Sequence, residues 1–433
     1  MRKLTVKNFS VIKEAELEFG KITVLIGPQS SGKSLLCKLA HFLSKEVIEQ
    51  AVTYIARGKN LAEFKSAIIG MFLNRFTSGS ISEKSYVAEL TEGNYAIKIF
   101  GKYETRDGEI GCDFSKTFVE LYAALRAKHA TTGNIVGIPE TSSEFTIWTE
   151  LNLLLTDPVI VRTTYIPAGR AFFTSASLGF NALQNPDIDP LIRKFPTEIS
   201  WDAPWRGFDA THGDTALHEI SQKMDDIAGG YVQGSEKAPI FVAYDGRRIP
   251  LTLLSSGTQE LLPLFNVLGR IASTVRYPAA TLVSRIGLGN GRWDVWSKNL
   301  VYLEEPEANV FPSTQYELVR LFARLTREST LDFSWVITTH SPYILTAFNN
   351  LIEAGQAARN NPALHDEVAK IIPEQYWIKE GDFKAYAIED GKLRSILNES
   401  GFIEGNYLDQ VSEVIGNEFD KLLRLEYEHT KAS

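Results

Sequence analysis

Cysteine is scarce in this chain of 433 residues, which contains only Cys37 and Cys112. The two do not have the spacing of a metal site and exclude a disulfide framework, so we expect a reducing compartment. No apolar run is long enough to span a bilayer. The first residues also lack the apolar core and cleavage site of a signal peptide. We therefore expect a cytoplasmic protein with no membrane partner.

Clusters of lysine and arginine are also missing. Asp and Glu outnumber Lys and Arg by 53 to 45, so no dominant DNA-binding surface is visible, although a local patch could assemble in three dimensions. Heptads and internal repeats are absent, which argues against a coiled coil or a solenoid. The composition, 44% hydrophobic and 23% charged, is that of a globular protein with one large α/β domain and an insertion, or two to three smaller units.

An α/β pattern appears at both ends of the chain. The β-branched run at 22–26 predicts a buried strand, and apolar residues at helical spacing follow it over 35–42. Two further buried strands are predicted at 300–303 and 335–339, with a helix over 313–327 between them.

The rest of the pattern is less regular. Hairpins are predicted over 85–101 and 240–253, each turning at a glycine. Strands at 376–378 and 384–388 and an amphipathic helix over 408–422 are predicted near the end.

The segment 27–34 reads G-P-Q-S-S-G-K-S and has the complete spacing of a phosphate-binding loop. Its glycines let the backbone N–H groups point at phosphate oxygens, at the positive N-terminus of the next helix. Lys33 is expected to reach the β- and γ-phosphates, and Ser34 to coordinate Mg²⁺. We therefore predict ATP and Mg²⁺ as cofactors. The phosphate-binding residues are Gly27, Ser30, Ser31, Gly32, Lys33 and Ser34.

The strand at 300–303 ends in two acids, Glu304 and Glu305. Carboxylates at the end of a buried parallel strand lie beside the ligand in α/β sheets. Glu304 is expected to hold the magnesium, and Glu305 to polarise the attacking water. The alternative is a solvated acidic turn. Such strands usually carry Asp where Glu304 stands, and the extra methylene alters the metal geometry.

Two more loops are candidates for the site. The segment 254–260, L-S-S-G-T-Q-E, starts a helix with small hydroxyls and a glycine, which suits either an anion site or a simple N-cap. His340 follows the predicted strand at 335–339, where it could contact a γ-phosphate or be structural.

The order of these four elements resembles the ABC-type ATPase head, over most of residues 1–348, with an insertion at about 43–235 that matches loosely. The resemblance implies an α/β P-loop NTPase fold with a mixed sheet, an antiparallel β subdomain and a helical insertion. Residues 349–433 would complete the head and form an oligomer or partner interface.

In that family two heads sandwich two ATPs, which implies a homodimer or a higher even-numbered oligomer. Glu305 would be the catalytic base and His340 the switch histidine. The signature loop would contact ATP held by the partner's Lys33. Its residues acting in trans are Ser255, Ser256, Gly257 and Gln259.

The segment 304–312, E-E-P-E-A-N-V-F-P, resembles a stretch in stand-alone bacterial ATPases of the OLD (overcoming lysogenization defect) group. Asn309 and Val310 stand where His and Leu are commoner. The segment 165–170, Y-I-P-A-G-R, resembles their I-P-A-x-R, which implies that Arg170 is a nucleotide or interface sensor; a bland surface or core-edge arginine is the alternative.

OLD nucleases continue into a TOPRIM domain, but residues 349–433 are short and show no clear Glu-Gly and Asp-x-Asp set, so we expect no nuclease site in this chain. The ATPase subunits of PARIS and Septu anti-phage systems are similar. That resemblance implies an ATP-driven switch or scaffold controlling a separate effector, a nuclease. The alternatives are a RecF-like DNA-binding repair or replication ATPase and, less well matched, a transporter's ATPase subunit.

Overall fold

The computed structural model describes residues 2–76, 85–102, 109–132, 140–155, 160–175, 188–199, 201, 215–233, 239–274, 297–328, 331–404, 418 and 421. Within these residues, one large sheet has helices on both faces, and a separate small sheet has three strands. None of the helices in these ranges is both long and apolar enough to cross a membrane.

Fourteen strands lie in the described ranges. They are β1 (Arg2–Phe9), β2 (Ile12–Glu18), β3 (Ile22–Ile26), β4 (Tyr86–Glu92), β5 (Tyr95–Lys102), β6 (Glu109–Phe114), β7 (Ile160–Ile166), β8 (Gly230–Gln233), β9 (Ile240–Ala243), β10 (Arg248–Pro250), β11 (Ser297–Glu304), β12 (Phe333–Thr339), β13 (Phe383–Glu389) and β14 (Lys392–Ser395). The large sheet has the order β6-β5-β4-β1-β2-β14-β13-β3-β12-β11-β7, and the small one β10-β9-β8.

The described helices surround this sheet. They are α1 (Lys33–His41), α2 (Val47–Ala56), α3 (Leu61–Arg75), α4 (Lys116–Thr132), α5 (Glu140–Leu155), α6 (Ala171–Ser175), α7 (Pro190–Lys194), α8 (Thr215–Ala228), α9 (Ser256–Thr274), α10 (Pro312–Arg327), α11 (Pro342–Asn360) and α12 (His365–Ile371). A π-helical turn over Phe42–Glu46 joins α1 to α2.

Five neighbouring strands, β13, β3, β12, β11 and β7, are parallel. Their carboxyl ends therefore meet at one edge of the sheet, where ligands bind in such folds. This edge collects the loop after β3, the acids at the end of β11, His340 after β12 and the segment 167–170 after β7.

The two faces of the parallel strands have separate cores, because successive side chains of a strand point to opposite sides. Leu25, Tyr302 and Val336 pack with α1 to α5. Val24, Leu303 and Ile337 pack with α8 to α11. The helix after the phosphate loop and the helix after the signature loop thus lie on opposite faces.

Most predicted elements are confirmed, including the hairpin β4–β5, the buried strands β3, β11 and β12, and helix α10. The predicted strand at 376–378 is wrong. A single 3-10 turn, Glu374–Tyr376, replaces it, and the Trp377 indole N–H donates to the Ile372 carbonyl.

The second hairpin is shorter than predicted. Its return strand β10 ends at Pro250, which has no N–H to continue the ladder, and a 3-10 turn over Leu251–Leu253 follows. Of the helix predicted over 408–422, only residues 418 and 421 are described, and both are helical; the rest lies outside the described residues.

Candidate functional site

The phosphate loop has a backbone that requires its glycines. Gly32 has φ 106°, in the region that favours glycine. A Cβ there would lie 2.5 Å from Ile12 Cδ1, and one on Gly27 would lie 2.7 Å from the Ile388 carbonyl oxygen. The loop is therefore packed tightly between the β1–β2 turn and the end of β13.

Lys33 is 5% exposed and turned inward. Its Nζ donates to the carbonyls of Gly27 and Pro28, at 2.8 Å each. Burial lowers the pKa of Lys33, whereas the charges of Glu305 and Glu307 raise it. An ammonium group has three donors, so one remains for a ligand.

Ser31 offers a second unused group, because its Oγ is buried and has no hydrogen-bond partner in the structure. A phosphate oxygen between this hydroxyl and the third Lys33 donor would satisfy both. The residues present therefore fit a nucleotide phosphate.

The predicted magnesium site has few protein groups. Within the described ranges, no three His, Cys, Asp or Glu side chains are arranged to hold a metal ion. Mg²⁺ usually binds through one or two protein groups plus substrate phosphates. Ser34 and Glu304 as the protein's magnesium ligands stay a prediction.

Glu304 is buried and fixed by two donors. The Tyr165 hydroxyl donates to its Oε1 at 2.7 Å, and the Ala168 N–H donates to its Oε2 at 3.2 Å. Each carboxylate oxygen keeps a second lone pair. The carboxylate is thus held in one orientation while it can still accept from a metal-bound water.

Glu305 has a different environment. Its side chain is 38% exposed, and its Oε1 lies 3.5 Å from His340 Nε2. The His340 N–H donates to Glu307 Oε1 at 2.6 Å. The predicted base and the predicted switch histidine are therefore neighbours, and Glu307 holds the backbone of the histidine.

Arg170 is 1% exposed, and its guanidinium donates to four carbonyls. The acceptors are Pro167, Glu304, Glu305 and Glu260, at 2.9, 2.6, 3.0 and 3.4 Å. Its charge is matched by Glu260, whose Oε2 lies 3.4 Å from the arginine Nε. The guanidinium is inside the head, and its predicted role as a sensor stays a prediction.

The signature loop begins α9. Ser255 Oγ accepts a hydrogen bond from the Thr258 N–H at 3.3 Å and so caps the helix. Ser255 and Ser256 are nevertheless exposed, whereas the Gln259 amide is buried and donates to the Leu251 carbonyl at 3.0 Å. The hydroxyls at this helix start are open to a ligand, and Gln259 is part of the loop's internal support.

Gly257 packs the signature loop against the turn that follows Glu304 and Glu305. A Cβ at this position would lie 2.7 Å from the Asn309 carbonyl oxygen. The two loops are therefore in direct backbone contact within one chain.

Sequence reasoning missed three site residues, namely Tyr165, Glu260 and Glu307. Each lies inside a segment that the sequence predicts to be part of the site, but the sequence pattern assigns no role in the site to the residue itself. An acid or tyrosine next to a predicted ligand was the available signal, since buried carboxylates need donors and buried arginines need acids.

A comparison with known protein families gives one match. Residues 185–345 match the AAA ATPase domain family. The matched range contains the signature loop, β11 and His340, and begins after the phosphate loop. No curated protein sequence matches the chain.

Several solved structures are similar to the chain. One is the SMC head domain from Thermotoga maritima. The matched region covers 92% of this chain and 98% of that domain, with 12% identity and a TM-score of 0.38. An SmcHead bound to the C-winged helix domain of ScpA covers 92% and 97%, with 13% identity and a TM-score of 0.41.

A dimeric ATP-binding cassette in a post-hydrolysis state, bound to ADP and Pi, covers 90% of this chain and 97% of its own. Its identity is 11% and its TM-score 0.31. The predicted fold class is confirmed: this is a P-loop NTPase fold with a mixed sheet and a smaller antiparallel sheet. The family match supports an ATPase.

Proposed function

We propose that the chain is an ATP-hydrolysing switch that dimerises head to head around ATP. The opposite placement of α1 and α9 carries the proposal. The two helices lie on different faces of the sheet, which supports a nucleotide bound between the Lys33 of one copy and the exposed Ser255 of another. A homodimer or higher even-numbered oligomer follows.

In this proposal each site residue has a separate role in hydrolysis. Lys33 and the loop N–H groups hold the phosphates, and Ser34 and Glu304 hold Mg²⁺, which neutralises phosphate charge when bound. Glu305 takes the proton of the attacking water, and its half-exposed carboxylate leaves room for that water. His340, beside Glu305, contacts the γ-phosphate.

We further propose that the switch controls a separate effector, a nuclease, in bacterial anti-phage defence. The resemblance of 304–312 and 165–170 to OLD-group ATPases supports this role. Residues 349–433 would complete the head and provide an oligomer or partner interface. The pairing of β13 with β3 supports the first part of that assignment.

Two substitutions test the ATPase. Lys33→Ala should abolish or strongly weaken ATP binding, because the phosphates lose their cation. Glu305→Gln should bind ATP but hydrolyse it at least about 100-fold more slowly and accumulate as a closed dimer. Glu367→Gln, an exposed acid on α12, is the control and should behave as the wild type. Normal hydrolysis by Glu305→Gln would show that the base is elsewhere.

A separate experiment tests the effector. The tagged Glu305→Gln protein, locked with ATP, should co-purify with the product of the adjacent gene, and Lys33→Ala should not. A neighbouring nuclease recovered this way would support the defence role. No co-purification, together with duplex DNA binding that requires ATP and weakens with salt, would instead favour the RecF-like function.

A further inference from the structure

Glu305 has a strained backbone. Its φ is 43°, a left-handed conformation that non-glycine residues rarely adopt and that the surrounding structure must hold. One support is the Glu305 N–H, which donates to the Thr338 carbonyl at 2.9 Å. Strain at a residue that carries chemistry indicates that its direction matters.

Arg170 provides the second support. Its Nη1 donates to the Glu304 carbonyl at 2.6 Å, and its Nη2 to the Glu305 carbonyl at 3.0 Å. These carbonyls belong to the two peptide groups on either side of the Glu305 Cα. A planar guanidinium that grips both peptides at once restrains the two dihedrals between them.

The same arginine is tied to α9. The main-chain N–H of Arg170 donates to Glu260 Oε2 at 2.9 Å, and the side-chain Nε lies 3.4 Å from that oxygen. Both side chains are at most 2% exposed, so water screens little of their interaction. Glu260 lies in the second turn of the helix that begins at the signature loop.

We propose that Arg170 is a positioning residue: it holds Glu305 in its strained conformation and connects that conformation to the signature helix. This rests on the proposed function, in which Glu305 is the base and Ser255 serves the partner's nucleotide. A movement of α9 when the partner's nucleotide binds would then act on Glu305 of the same chain, so the two ATP sites of a dimer are coupled.

The test removes the charges together, because one buried charge left alone can unfold a protein, whereas an apolar pair often replaces a buried ion pair without loss of stability. The variant is Arg170→Met with Glu260→Leu. We expect a lower unfolding midpoint, because the main-chain N–H of residue 170 and the carbonyls that the guanidinium bonded lose their partners, but a folded protein with an ATP KM within about twofold of the wild type. The kcat should fall about 10- to 100-fold, the size expected for a misplaced catalytic group.

Arg324→Met with Glu328→Leu is the matched control. This pair, 2.9 Å apart on α10, lies away from the site, so kcat should stay unchanged. Arg170→Lys is the second variant. It keeps the charge that Glu260 requires, but its single nitrogen lacks the rigid planar fork that bonds the Glu304 and Glu305 carbonyls from two separate nitrogens, and it should lower kcat with KM unchanged.

Wild-type kcat in the folded double variant, or in Arg170→Lys, would overturn the proposal. Glu305→Gln distinguishes a failure of the proposed function from a failure of the positioning role of Arg170. If Glu305→Gln hydrolyses ATP normally, the proposed function fails. If it is inactive while the Arg170 variants keep wild-type kcat, only the positioning role fails.

Discussion

Gly257→Ala tests the backbone contact between the signature loop and the turn after the catalytic acids. The new Cβ would lie 2.7 Å from the Asn309 carbonyl oxygen, and a backbone oxygen cannot rotate away as a side chain can. One loop must therefore shift. Overpacking of this kind costs about 1–3 kcal/mol, and alanine's helix propensity returns at most about 1 kcal/mol. We expect a net loss of about 1–2 kcal/mol in the free energy of unfolding.

Gly70→Ala is the matched control for that loss. Gly70 lies inside α3, and a Cβ there meets nothing within 4 Å. Alanine should raise the free energy of unfolding by about 0.5–1 kcal/mol. Urea denaturation of both variants and the wild type measures the difference.

The same variant has a second readout in turnover. Gly257→Ala should bind ATP normally, because Gly257 is not among the residues proposed to hold the phosphates on its own chain. It should hydrolyse ATP slowly, because the displaced signature loop closes poorly over the partner's nucleotide. The reasoning is refuted if Gly257→Ala is as stable as the wild type, or if both glycine variants shift stability in the same direction.

Three further predictions concern the surroundings of the site. Tyr165→Phe removes the hydroxyl that donates to Glu304, so the free energy of unfolding in urea should fall by about 1–2 kcal/mol. The Mg²⁺ concentration needed for half-maximal ATPase activity should rise. Tyr54→Phe is the control. Burial lowers the pKa of His41, so the unfolded chain takes up its proton first. Stability should therefore fall as pH drops below about 6.5, by up to about 1.4 kcal/mol per unit, and His41→Gln should flatten this slope. Glu307→Ala frees the backbone of His340 and should lower kcat, whereas Glu307→Gln keeps an acceptor and should retain most activity; equal losses would contradict the anchoring role.

That the candidate ATP-binding residues lie at one edge of the sheet could be predicted, because these residues follow strands directly in sequence. Gly27 to Ser34, Glu305 and His340 each come just after a buried apolar run, and parallel strands bring such positions to one edge. Apolar runs also sufficed for β3, β11 and β12.

The supports could not be predicted, because they depend on pairings between distant segments. Nothing near Arg170 in sequence indicates that its partners are Glu260 and the carbonyl of Glu305. The segment 376–378 failed for a related reason. Its apolar side chains are buried under α11 and α10 in a turn, and apolar character alone does not distinguish that from a strand.

The position of β3 in the sheet has a consequence for how the chain is made. Its two neighbours are β12 and β13, and β13 is completed roughly 360 residues after β3 leaves the ribosome. At about 5–20 residues per second, the phosphate-loop strand waits about 20–70 s for its second neighbour. The candidate site is incomplete until His340 has been made, and the edge of β3 that β13 covers stays open to wrong partners until β13 follows. We expect newly made chains to depend on chaperones until residue 389 has emerged.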